Sequence, residues 1–349
     1  MRYRSIEKSI KFFRIVLLGL FLSIVYAFFE NGFKNLFSTI NILLLGVLIG
    51  SGIAFFELFF FKIIRKLQFI SILFIRTFYY LFLVTFFIFF EVAIARMIKD
   101  DFTFPELLQN QEFQNYLMNE DFKIGILYAL VLIIIFNFSN QMNRKMGKGT
   151  MLSFISGKYA HPKIVERVFM FVRIIDPDII VQKIGHVKFH NLINDLLFDC
   201  TDPISQNKGR IYEYVDDEVV ITWKSNIGIK NANCVRLFFD LKTAIEEKKE
   251  KYYNKYGVIP KFNAALHYGN VLRGEIGDVK CEIVYSGDVM NTTSRILDMC
   301  KGLSSNLLVS AHLMYRIKLP VIYKNKSCGK IKLKGKEENV EIFTIQETQ

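Results

Sequence analysis

Asn291 and Arg295 stand four residues apart in the stretch Val289 to Cys300, whose apolar members Met290, Ile296, Leu297 and Cys300 recur at helical spacing. The pair therefore shares one face of a helix. Such a face suits a triphosphate, because an amide can orient a ribose and a guanidinium fork can hold charge that develops on a phosphate. An isolated pair of this kind is more often an ordinary solvated face, so its meaning depends on its surroundings. Just upstream, Ala264 to Gly269 reads as a buried strand. Gly269-Asn270 reads as a turn, and a second run broken at Gly274 and Gly277 completes a hairpin.

The elements that must carry this helix follow from the same patterning. Val168 to Ile174 is a buried strand, and after Pro177 a helix runs through Ile179, Ile184, Phe189, Leu192, Leu196 and Leu197. Two strands, Ile211 to Val215 and Val219 to Trp223, meet at Asp216-Asp217-Glu218. One long amphipathic helix is expected over 231–253, its charged run Glu246 to Lys251 being a solvated face. The resulting βαββαβ order, with extra strands near the end, predicts a ferredoxin-like α+β sheet with helices on one face.

Five separated segments, VFMFVRIIDPDIIVQKIG, GRIYEYVDDEVVITW, KYGVIPKFNAALHYG, GEIGDVKCEIVYSGDVMNTTSRI and IKLKGK, occur in this order between about Glu166 and Ile345. In that order they resemble the catalytic domain of class III adenylate/guanylate cyclases, above all bacterial enzymes with several transmembrane helices before one catalytic domain. The resemblance implies conversion of a nucleoside triphosphate to a 3′,5′-cyclic nucleotide and pyrophosphate, at sites formed between two catalytic domains of a homodimer or of a heterodimer with another cyclase chain. It implies that Asn291 and Arg295 act on the transition state and that Lys334 contacts the polyphosphate. It also implies two Mg²⁺ or Mn²⁺ ions, which activate the attacking oxygen and neutralise the leaving one, held by two Asp residues.

The second of those Asp residues is Asp217. Asp216 stands where the family has Gly, which a tight turn accepts because Asp adopts the left-handed conformation. Arg173 falls on the first Asp position, so a permanent cation stands where a metal ligand is expected. Asp176 or Asp216 then becomes the substitute ligand, with Asp178 a further candidate, or another cyclase chain supplies it. The competing reading is a degenerate homologue that binds nucleotide or regulates a partner. Asn263 replaces a residue that is often basic. Glu213 and Val284 occupy the base-recognition positions and leave adenine, guanine and pyrimidine open.

The chain has 349 residues, a formal charge of +12 and 52% hydrophobic content, with the apolar excess in its first 140 residues. Four runs there, about 13–29, 39–61, 78–95 and 122–138, approach the length that crosses a hydrocarbon core. This divides the chain into a membrane anchor, 1–139, a linker or signalling helix, 140–163, and a catalytic domain, 164–349. Met142, Met146, Met151, Phe154 and Ile155 recur at near-helical intervals in the linker, which suits either a continuing helix that dimerises or a plain spacer.

Basic residues flank the first span (Arg2, Arg4, Lys8, Lys11, Arg14), the second (Lys62, Arg65, Lys66) and the last (Arg144, Lys145, Lys148), while the loop 100–121 is acidic. By the positive-inside rule both ends face the cytoplasm of a cell whose inner (plasma) membrane carries the protein. Val25-Tyr26-Ala27 weakly resembles a signal cleavage site, yet three further spans favour retention. The basic charge suits an anionic leaflet and a polyanionic nucleotide rather than nucleic acid. The odd, widely spaced cysteines Cys200, Cys234, Cys281, Cys300 and Cys328 read as reduced thiols. Glu57 and Arg76 fall at similar depth, where they either pair or Arg76 snorkels to the headgroups.

Overall fold

A computed structural model describes residues 2–34, 36–60, 64, 67–146, 157, 159, 161–278, 281–335 and 339–348, and divides the chain into two compact units, Met1–Ile155 and Ser156–Gln349.

The first unit contains four long helices, α1 (Arg2–Asn31), α2 (Leu36–Phe59), α3 (Phe69–Asp100) and α6 (Glu120–Met146). Their windows Ser9–Phe29, Thr39–Phe59, Phe69–Ile98 and Phe122–Met142 are long and apolar enough to cross a membrane. The third starts well before the expected residue 78. Arg76 does not end it, because Glu57 on α2 accepts hydrogen bonds from Arg76 and from Tyr80 Oη (2.7 Å), and Lys11 Nζ lies 3.1 Å from the same carboxylate. Of the two readings of Arg76, pairing is the one realised.

Helices α1 and α2 pack closely because Gly46 has no side chain: a Cβ there would stand 2.3 Å from Ser23 Oγ and 2.7 Å from the Gly19 carbonyl. The acidic loop holds two short helices, α4 (Phe104–Gln109) and α5 (Gln111–Met118). The last helix is described as far as Met146. The expectation that it continues through Met151, Phe154 and Ile155 falls outside the described residues.

In the second unit the elements are β1 (Lys163–Ile174), α7 (Pro177–Ile184), α8 (His186–Gln206), β2 (Arg210–Val215), β3 (Glu218–Lys224), α9 (Ser225–Ile229), α10 (Asn233–Glu246), α11 (Lys249–Tyr256), β4 (Phe262–Ile276), β5 (Glu282–Ser286), α12 (Asp288–Gly302), β6 (Leu307–Ser310), α13 (Ala311–Met314), β7 (Tyr323–Lys332) and β8 (Asn339–Glu347). The strands form one sheet in the order β2-β3-β1-β4-β6-β8-β7, with β5 paired to β4.

Three sequence expectations are corrected. Helices cover both faces of the sheet, not one. Val168, Met170 and Val172 of β1 pack under α8, α10 and α11, while Phe169 and Phe171 pack against Val289, Ile296 and Leu297 of α12. A strand apolar on both sides reads as the unbroken run VFMFV, which is the mark of two covered faces.

The strand β4 also runs straight through Gly269-Asn270, and its hairpin with β5 turns after Ile276. Gly269 is there for clearance rather than for a turn, since a Cβ would stand 2.6 Å from Val289 Cγ2 of α12. Finally, the helix expected over 231–253 is broken after Glu246. The charged run is not merely solvated: buried Asp199 of α8 receives Lys248 Nζ (2.7 Å), Lys251 Nζ (2.7 Å) and Tyr252 Oη (2.8 Å). The break turns α11 so that its basic and phenolic side chains reach α8.

Candidate active site

The end of β1 and the β2–β3 turn meet at one corner. The Ile174 amide donates to the Asp217 carbonyl at 3.2 Å, which sets Asp217 beside the β1 terminus. Asp216 takes a left-handed φ of +48°, as the turn demands of it.

Arg173 is the cross-strand neighbour of Glu218 on one side and Asn263 on the other. Its Nε donates to Glu218 Oε1 at 2.5 Å and its Nη1 to Asp298 Oδ1 of α12 at 2.8 Å. Partial burial alone would lower the Arg173 pKa, but the bonds to Asp298 and Glu218 raise it above the ordinary value, so the cation persists at every accessible pH. Beside it, Lys301 Nζ lies 3.4 Å from Asp176 Oδ1. Arg173, Asp176, Asn263, Asp298, Lys301 and Ser305 are among the residues lining a cavity of about 380 Å³ at this corner. Cys300 also lines it, and burial pushes its thiol up to about 12, out of the reactive range.

One helical turn back from Asp298 along α12, Arg295 meets the turn Lys334–Gly335. A Cβ on Gly335 would stand 3.3 Å from Arg295 Nη2, and the φ of +70° there favours glycine. This packing sets Gly335, the chain neighbour of Lys334, against Arg295, with Asn291 exposed one turn further along the same face.

A third group lies across the sheet. The Tyr285 amide donates to Tyr212 Oη at 3.2 Å, and the two rings meet edge to face at 5.1 Å, with Phe169 beside both. Glu213 and Val284 adjoin these tyrosines along β2 and β5, the two strands that the contact draws together.

No family model matches the chain. It is 30% identical over 220 residues to adenylate cyclase 2 of Rhizobium meliloti (strain 1021), a match covering 63% of this chain and 61% of that protein. The chain thus spans less than two thirds of that curated relative. Two structures of a bacterial light-regulated adenylyl cyclase superimpose with a TM-score of 0.54 each, at 19% and 20% identity. They cover 64% and 66% of this chain, and 66% and 68% of theirs. The second unit has the fold of a class III cyclase domain.

The sequence reading put Asn291 and Arg295 on one helix, as α12 carries them, and Asp216 and Asp217 in the turn between β2 and β3. It missed Glu218 and Asp298 as the partners of Arg173. Glu218 was legible from the register, one residue past the hairpin turn, but Asp298 lies 125 residues away and only the fold brings it near.

The donor set at the corner does not fit the two divalent ions that the cyclase resemblance implies. Arg173 already engages Glu218 and Asp298, Lys301 engages Asp176, and among the described residues no group of three or more His, Cys, Asp or Glu is placed to hold a metal ion. Asp176 therefore faces Lys301 rather than completing a carboxylate pair with Asp217. Asp178 lies in the first turn of α7.

Proposed function

We propose that the chain is a membrane-anchored subunit of a nucleotidyl cyclase, which with a second cyclase chain converts a nucleoside triphosphate to a 3′,5′-cyclic nucleotide and pyrophosphate for intracellular signalling. The observation that carries this reading is the packing of Arg295 against the Lys334–Gly335 turn. It sets the residue next to Lys334 against Arg295, which supports a polyphosphate contact by both, one helical turn from an amide for the ribose. In this assignment Asn291 orients the ribose, Arg295 holds the charge that develops as the 3′ hydroxyl attacks the α phosphorus, and Lys334 binds the leaving pyrophosphate. Glu213 and Val284 flank the base.

The Arg173 ion pairs favour a heterodimer over a homodimer, because two identical chains would bring the same guanidinium to both sites. A second chain with carboxylates at both family positions is where Mg²⁺ or Mn²⁺ would be held. The basic flanks of the four apolar helices support a nucleotide domain in the cytoplasm, beneath the plasma membrane, where triphosphates are made.

Complementation tests the assignment. The native full-length chain and an Arg173→Asp/Arg295→Ala chain are purified separately and mixed, then supplied with ATP, GTP, CTP or UTP and either Mg²⁺ or Mn²⁺. Each alone is expected to make little cyclic nucleotide, and the mixture orders of magnitude more, because only the mixed dimer has one complete site. Robust turnover by the native chain alone would refute the heteromeric site. The same ion pairs favour a second reading, a nucleotide-binding homologue that regulates a partner. Triphosphate binding without turnover in the mixture or in Arg173→Asp would establish it instead.

A further inference from the structure

Tyr212 sits in an irregularity of β2. Ile211 stands opposite Ile221 and Glu213 opposite Val220, so Tyr212 is an extra residue in the strand, a β-bulge. Neighbouring residues of a regular strand face opposite sides. Here Val220 belongs to the core under α12, which puts its cross-strand partner Glu213 on that face, and Tyr212 packs on the same face. The bulge thus turns two successive residues toward α12.

The Tyr212 phenol reaches a strand that the ladder does not bring to it. Strand β5 is paired to β4 and stands four strand spacings from β2 along the sheet, about 19 Å. Yet Tyr212 Oη accepts the Tyr285 amide at 3.2 Å and the two rings lie 5.1 Å apart, so the β4–β5 hairpin curls over the α12 face. Two side chains of β1 hold Tyr285 there as well. Phe169 meets its ring edge to face at 5.6 Å, and Arg167 Cζ lies 5.1 Å from its centre. The rings supply packing, and the phenol oxygen supplies a directed bond between the two strands.

We infer that Tyr212 is a positioning residue for base recognition, which sets the spacing of Glu213 and Val284 by holding the β5 backbone at Tyr285. The inference rests on the proposed function, in which those two residues flank the base. Each is the chain neighbour of one end of the bond, Glu213 of Tyr212 and Val284 of Tyr285, so a shift at the bond moves both. Apolar packing is non-directional and tolerates sliding, whereas a hydrogen bond weakens steeply when its geometry is lost. A valine cannot choose between bases by hydrogen bonding. Selectivity then depends on the Glu213 carboxylate accepting from the base at a fixed distance from an apolar wall, and Tyr212 fixes that distance.

Equilibrium binding tests it on the full-length native chain mixed with the Arg173→Asp/Arg295→Ala chain, with Tyr212→Phe or Tyr285→Phe placed in both chains of further mixtures. The ligands are ATP, GTP, CTP, UTP and inorganic tripolyphosphate, which has no base. Tyr212→Phe keeps the ring and loses only the acceptor oxygen. It should narrow the spread of Kd among the four nucleotides by about fivefold, the worth of one hydrogen bond between neutral groups. Its affinity for tripolyphosphate should match that of the unsubstituted mixture, because Arg295 and Lys334 are untouched. Tyr285→Phe should keep the native spread, since the group that Tyr285 contributes is its backbone amide. An unchanged spread in Tyr212→Phe would overturn the inference. So would four nucleotides bound alike by the native mixture, an equal loss of tripolyphosphate, or an equal effect of Tyr285→Phe, which would make the role one of packing. Binding of tripolyphosphate but of no nucleoside triphosphate would instead sink the proposed function, and the inference with it.

Discussion

Arg173 Nη1 lies 2.8 Å from Asp298 Oδ1, an ion pair that ties the end of β1 to the helix that carries Asn291 and Arg295. Arg173 also bonds Glu218, so one guanidinium joins the β2–β3 hairpin, the central strand and α12. The cyclase resemblance implies a metal-binding carboxylate at position 173. Here the cation is covalently part of the chain.

That substitution makes a stability prediction independent of turnover. Arg173→Asp would set a third carboxylate beside those of Glu218 and Asp298 and remove the cation that pairs with both. The variant should be less stable than native by about 1–3 kcal/mol in a chelator and should recover on adding Mn²⁺. The native chain should show no Mn²⁺-dependent shift at this corner. Denaturant unfolding with and without the ion measures both, and recovery absent from the variant would count against the corner as a latent cation site.

Orientation gives a second expectation. Reporter fusions after Lys66 and Gly147 should read cytoplasmic and one after Gln111 extracytoplasmic, because Lys and Arg cluster on the first two flanks and acids on the third. An outside reading after Gly147 would remove the nucleotide domain from its substrate.

Short-range features were legible in the chain, and long-range ones were not. The Asp216 turn, the α12 face and the four apolar helices follow from local periodicity and turn chemistry, and each was read correctly. Gly269-Asn270 was misread because the dipeptide is a good turn signal. Its glycine answers to Val289, which the sequence places 20 residues away and the fold places overhead. Likewise Lys248 and Lys251 look solvated until α8 brings Asp199 beneath them. In each case a tertiary contact overrode a local signal.

Gly269 can be tested directly. Gly269→Ala would place a methyl 2.6 Å from Val289 Cγ2 and lift α12, at a cost of about 1–3 kcal/mol. Adding Val289→Ala should restore part of the loss by removing the clashing methyl groups. Because α12 carries Arg295, the single variant should also bind nucleoside triphosphate more weakly than the double. Equal stability of Gly269→Ala and native protein would show that the helix yields freely.

Asp199 predicts an acid limit. Burial alone would raise its pKa, but the bonds from Lys248, Lys251 and Tyr252 hold it below the ordinary carboxylate value. A group whose folded pKa is depressed stabilises fully above its unfolded pKa, about 3.9, and loses that contribution as pH falls through the folded value. Asp199→Asn should therefore lower stability at pH 7 by on the order of 2 kcal/mol and by much less near pH 2. A loss equal at both pH values would mean that the carboxylate charge contributes nothing.

Among the four long apolar helices, Glu57 is the acceptor on which Arg76, Tyr80 and Lys11 converge. The Arg76 side chain is only 5% exposed, so Glu57→Leu would strand a guanidinium among apolar helices. Removing one partner of such a pair costs about 3 kcal/mol or more, whereas replacing both with apolar residues of similar volume is far less harmful. Glu57→Leu should accordingly lower the yield of folded protein in detergent, and Glu57→Leu/Arg76→Leu should recover most of it. Lys11 is half exposed and able to reach water, so Lys11→Leu should have the smallest effect of the three. If the double variant were as damaged as the single, the contribution of Glu57 would lie in its bond to Tyr80 rather than in the ion pair.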